Sequence, residues 1–177
     1  MPTDHTVCHC VVCQNITELD ARTRSVVATI DQHGWQVMMI PTDDQGPGWA
    51  YTIGLWHRHR IPELAMFGLD IRLMQTVLND LGQRAVEGQP LEADKERHDV
   101  ASVPVVLKPV DYRWYKAFFG TALGYYRKPP LPFLQVVWPN RDGAFPWQPG
   151  GEDLLVRQPR LWLRPDEHPA GVWTKEV

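Results

Sequence analysis

Serine is almost missing from this chain: Ser25 and Ser102 are the only two. Neither lies in a nucleophile-elbow setting, which argues against a Ser-His-Asp hydrolase. No apolar run approaches the roughly 20 residues that span a bilayer, so no membrane partner is expected. The N-terminus lacks a basic segment leading into an apolar stretch, so no signal peptide is expected and a cytoplasmic location follows. Positive charge is not in excess either. The formal net charge is −3 over 177 residues, and the longest basic patch is His57-Arg58-His59-Arg60. A broad nucleic-acid or anionic-membrane surface needs clustered Lys and Arg and is not expected. There is no Gly-rich phosphate loop and no regular strand–helix alternation, which argues against a doubly wound nucleotide-binding fold.

Cysteine is scarce but concentrated. Cys8, Cys10 and Cys13 are the chain's three cysteines and fall in one short stretch. In a reducing compartment such a cluster reads as metal ligands or redox thiols rather than disulfides. Three thiolates suit Zn²⁺, which takes four ligands in a tetrahedron. The fourth candidates are His5, His9, His33 and His168. His5 or a distant histidine is easier to place than His9, which is flanked by two cysteines. A Cys-x-x-Cys redox pair, or three unligated thiols on an arm, are the competing readings.

The body of the chain alternates helical and strand patterns. Thr17 is read as an N-cap with Asp20 in the capping-box position, opening a helix over 17–33 that ends at Gly34. Strands are expected at 35–41 and 49–53 as an antiparallel hairpin, and a central one at 63–68. Asp70 caps a helix over 70–87, whose apolar stripe is the clearest in the chain. Further elements are a strand near 100–108, an aromatic helix over 111–122 and a strand at 133–138. The sum is an α+β fold in a single domain, with a mainly antiparallel sheet and helices packed on one face. The expected organisation is an N-terminal cysteine-rich arm at 1–16, the α+β domain at 17–150 and a proline-broken tail at 151–177.

Several stretches carry a family resemblance. His33-Gly34-Trp35, Trp49-Ala50-Tyr51-Thr52-Ile53-Gly54-Leu55, Pro62-Glu63-Leu64, Gln135-Val136-Val137-Trp138-Pro139 and Phe145-Pro146-Trp147 together resemble the bacterial family called domain of unknown function 4262. The resemblance spans about 8–150. It implies a small α+β protein of bacterial or phage type, often beginning with clustered cysteines, and it implies no activity. A weaker likeness of Tyr51–Leu55 with Glu63-Leu64 to suppressor-of-fused type domains points to a binding module by fold analogy.

The stretch from Trp49 to Glu63 holds the remaining candidates. His57 and His59 with Glu63 are residue types that serve metal binding or acid–base catalysis. The competing reading is a solvated loop with incidental histidines. Glu63, next to an apolar strand, would need Arg58, Arg60 or a tyrosine hydroxyl as partner if buried. Trp49, Tyr51, Trp56 and Glu63 could line a ligand pocket, although core packing accounts for such aromatics as well. The expectation is a non-enzymatic binding or interaction protein with a structural metal, zinc, held by Cys8, Cys10, Cys13 and His5. Its partner would be a protein, a small molecule or a second copy of the chain. The alternative is an enzyme using His57, His59 and Glu63.

Overall fold

The computed structural model describes residues 7–175. Its centre is a six-stranded sheet in the order β1-β2-β3-β6-β5-β4. The strands are β1 (Gln36–Ile40), β2 (Trp49–Ile53), β3 (Glu63–Phe67), β4 (Glu96–Arg97), β5 (Val105–Pro109) and β6 (Phe133–Val137). The β3–β6 pair is parallel and the other pairs are antiparallel. This is an α+β domain with a mainly antiparallel sheet. The β1–β2 hairpin forms in register, with Met38 opposite Tyr51. β3 is buried along its whole length, as a central strand apolar on both faces must be.

The helices divide between the two faces of the sheet instead of lying on one. α3 (Ile71–Val86) sets Met74, Val77, Leu78 and Leu81 against Ala50, Leu64 and Met66. α1 (Ala21–His33), α4 (Tyr115–Phe118) and α5 (Gly120–Tyr126) cover the other face, against Tyr51, Ile53, Ala65 and Phe67. Side chains alternate across a strand, and β2 and β3 carry apolar residues on both sides, so both faces require a cover.

Two local expectations shift. The N-cap of α1 is Asp20, which accepts the Thr23 N–H at 2.8 Å, so the helix starts later than Thr17 suggested. The aromatic helix is broken into a 3-10 turn at Tyr112–Trp114 and the two short helices α4 and α5, which meet at Phe119-Gly120. It also extends to Tyr126, and that extension places two tyrosines at the functional site. Beyond residue 150, Leu161 and Trp173 pack into the core, and the backbone N–H of Asp111 donates to the Leu161 carbonyl at 2.8 Å.

Candidate metal centre

The site begins with the turn out of β2. Gly54 adopts a φ of +122° and leads into α2 (Leu55–His59), a single short helix. A carboxylate stabilises that turn from below. Glu63, at the start of β3, is fully buried. Its Oε1 accepts the backbone N–H of Gly54 at 2.8 Å and of Trp56 at 3.1 Å, and also the hydroxyl of Tyr126. Its Oε2 accepts the Thr52 hydroxyl at 2.6 Å. Both carboxyl oxygens are therefore satisfied within the core. Burial pushes the Glu63 pKa up, against the pull of these hydrogen bonds. The Tyr126 oxygen in turn accepts the N–H of His57 at 3.2 Å and of Gly54 at 3.1 Å. Glu63 and Tyr126 together therefore fix the backbone from which His57 projects.

The other end of α2 is held by arginines. Arg58 donates to the carbonyls of Ile30 at 3.2 Å and Asp31 at 2.9 Å, near the end of α1. Arg60 donates to the Trp56 carbonyl at 2.8 Å and to that of His57. Cations suit helix C-termini, where carbonyls are left unpaired. The basic patch is thus largely spent on clamping α2.

The cysteines come to His57 from the N-terminal segment. The Val11 N–H donates to the Tyr125 carbonyl at 2.9 Å and docks the segment on α5. The chain then turns tightly: Gln14 N–H donates to the Cys10 carbonyl at 3.0 Å, and Cys13 N–H lies 3.4 Å from Cys10 Sγ. Two residues between Cys10 and Cys13 are what this turn needs to bring the second sulfur back beside the first. Cys8, Cys10 and Val11 are buried, and Cys13 is exposed.

His57 Nδ1 lies 3.1 Å from Cys10 Sγ, 3.4 Å from Cys13 Sγ and 4.0 Å from Cys8 Sγ. The four ligand atoms all fall within 4.8 Å of one another. Tetrahedral zinc with three sulfurs and one nitrogen spaces its ligand atoms about 3.5–3.8 Å apart. Cys8, Cys10, Cys13 and His57 are therefore close enough to hold a metal ion. The Cys8–Cys10 hydrogen bond holds the Cys8 thiol up and Cys10 down, to about 3, with burial opposing the drop and His57 assisting it. The Tyr125 hydroxyl is buried beside Cys10, and burial and then the Cys10 sulfur raise its pKa. A metal-bound Cys10 thiolate would accept from this hydroxyl as an outer-shell partner.

Residues 29–152 match the family model described as Domain of unknown function (DUF4262). The chain belongs to this family. No curated protein and no solved structure matches it, and no match supports the suppressor-of-fused likeness. The matched span of the DUF4262 family contains His57, Glu63 and Tyr126, while the cysteine turn precedes it.

The remaining site candidates are placed as follows. His5 lies outside the described residues. His9 is half-buried but does not join the ligand group. His33 ends α1 and is exposed. His168 is buried, accepts the Arg160 N–H at 3.0 Å through Nε2 and has Nδ1 2.8 Å from the Pro169 carbonyl. The histidine that meets the cysteines is instead His57, which the sequence suggested for catalysis. His57, His59 and Glu63 face different surroundings: the cysteines, solvent and a sealed interior. Trp49, Tyr51, Trp56 and Glu63 do not share one cavity. Trp49 and Trp56 line separate ones, while Tyr51 and Glu63 are buried in the core. The sequence does not single out Tyr125 or Tyr126 as site residues. A tyrosine hydroxyl was among the partners expected for a buried Glu63, but nothing in the sequence selected Tyr126.

Proposed function

We propose that this chain is a non-enzymatic binding protein of bacterial or phage type, built around a structural zinc held by Cys8, Cys10, Cys13 and His57. The observation that carries this reading is the convergence of three sulfurs and one imidazole nitrogen within 4.8 Å. A Cys₃His set supplies four protein ligands, and a closed shell of this kind is structural, whereas catalytic zinc keeps a position open. The metal would join the N-terminal segment to α2, and both already rest on α5 through the Val11 and Tyr126 hydrogen bonds. Its binding free energy would then count toward folding. Glu63, the strongest acid–base candidate, is fully buried and committed to four donors. Free thiols suit a reducing, cytoplasmic setting.

Metal analysis of the purified full chain tests the proposal. About one zinc per chain is expected, and Cys10→Ser should remove most of it. Finding substantially less than one tightly held metal in the wild-type protein would refute the reading.

A further inference from the structure

Beside Trp56 of α2 and the turn that follows α5, the structure opens into a cavity of about 740 Å³. That is within the range of small-molecule sites. Trp56, Tyr115, Leu123 and Leu131 form apolar walls, together with the proline-rich turn at 129–132. Lys116, Arg127 and Lys128 also line it and are exposed. No carboxylate lines the cavity, and no ion pair among the described residues engages these three cations.

Two polar groups on the wall have unused capacity to donate. The Trp56 indole N–H is buried without a hydrogen-bond partner. Tyr115 uses its oxygen to accept the Phe133 N–H at 3.1 Å, which leaves its own hydroxyl hydrogen to give. Apolar walls, unpaired cations and spare donors together favour one ligand chemistry.

We propose that this cavity binds a small organic anion with an apolar body, of the medium-chain carboxylate type. The apolar portion would lie against Trp56, Leu123 and Leu131. The carboxylate would face Lys116, Arg127 and Lys128, where charge-assisted hydrogen bonds are available. This inference does not depend on the candidate metal centre, none of whose four residues lines the cavity.

The test is calorimetric titration of the full chain with octanoate, 1-octanol and octylammonium at constant ionic strength. Octanoate should bind one per chain, about tenfold more tightly than 1-octanol, with octylammonium weakest. The triple variant Lys116→Gln, Arg127→Asn, Lys128→Gln should bind octanoate no better than 1-octanol, with 1-octanol affinity unchanged. Asparagine is chosen because Arg127 has a φ of +66°, which asparagine tolerates. Methyl NMR signals of Leu123 and Leu131 should shift on octanoate addition. The proposal is overturned by an absence of octanoate binding, by equal octanoate and octanol affinities, by a triple variant that still prefers octanoate, or by shifts confined to other methyls.

Discussion

Tyr126 donates its hydroxyl to the buried carboxylate of Glu63, across 63 residues of sequence. The same oxygen accepts the backbone N–H groups of Gly54 and His57. Core and proposed metal ligand are therefore coupled through one hydroxyl. Tyr126→Phe would remove the donor to Glu63 and leave the His57 N–H without that acceptor. An unsatisfied buried polar group costs about 1–3 kcal/mol. Urea denaturation should show a loss of that size, and competition with a chromogenic chelator should show weaker zinc binding. Unchanged zinc affinity in a destabilised Tyr126→Phe protein would mean that Tyr126 serves the fold but not the ligand.

Glu63 makes stability depend on pH in a defined direction. Burial raises its pKa above the ordinary value of 4.5. Between that value and the higher folded one, the native protein holds a proton that the unfolded chain has released. The stabilisation is therefore full below the unfolded pKa and is lost as pH rises through the folded one. Glu63→Gln keeps the shape and removes the titration. As pH falls toward the ordinary value of 4.5, the stability difference between wild type and Glu63→Gln should move toward the wild type, by at most about 1.4 kcal/mol per pH unit. Parallel urea titrations measure it, and a difference independent of pH would show that Glu63 does not titrate in this range.

Much of the fold was legible because burial leaves a periodic trace. The run Glu63–Phe67 reads as a central strand and is one, and the stripe Met74, Val77, Leu78 and Leu81 reads as a buried helix face. Helix boundaries were less secure. Thr17 and Asp20 are both good caps, and only the chain's path decides between them. The aromatic stretch hid a break at Phe119-Gly120, because aromatic side chains suit either packing. The cysteines could be read as ligands from their spacing alone. Their histidine could not, since 44 residues separate Cys13 from His57 and only the sheet and α5 bring them together. For Glu63, arginines were as plausible as a tyrosine from sequence. The fold sends Arg58 and Arg60 to carbonyls at helix ends and gives the buried carboxylate neutral donors, which avoids burying a second charge.

Metal removal should act on the N-terminal segment first. A ligand present at about 100 times its Kd stabilises the form it binds by about 2.7 kcal/mol. Stripping the proposed zinc with a chelator should cost about that much at such saturation and should make the peptide bonds around Val12–Ile16 sensitive to protease while the sheet persists. His57→Ala should reproduce both effects without chelator. His9→Ala should reproduce neither, because His9 lies outside the ligand group. Equal protease resistance with and without metal would show that the segment is held by its core contacts alone.

Gly54 joins the sheet to the ligand-bearing helix, and its lack of a side chain serves two purposes. Its φ of +122° is strained for any L side chain, and a Cβ there would lie 2.9 Å from both the Gly34 oxygen and the Trp35 Cα. Those are backbone atoms and cannot swing aside. Gly54→Ala must therefore shift the turn that donates to Glu63 and Tyr126. Gly88 is the matched control. Its φ is +96°, but a Cβ there meets nothing within 4 Å. Gly88→Ala should cost about 1 kcal/mol, the backbone term alone. Gly54→Ala should cost about 3 kcal/mol or more, because the clash and the displaced hydrogen bonds add to that term. It should also lower zinc occupancy, which Gly88→Ala should leave intact. Urea midpoints and metal content of the two variants distinguish the contributions. Equal costs would show that the close approach at Gly54 is relieved without disturbing α2.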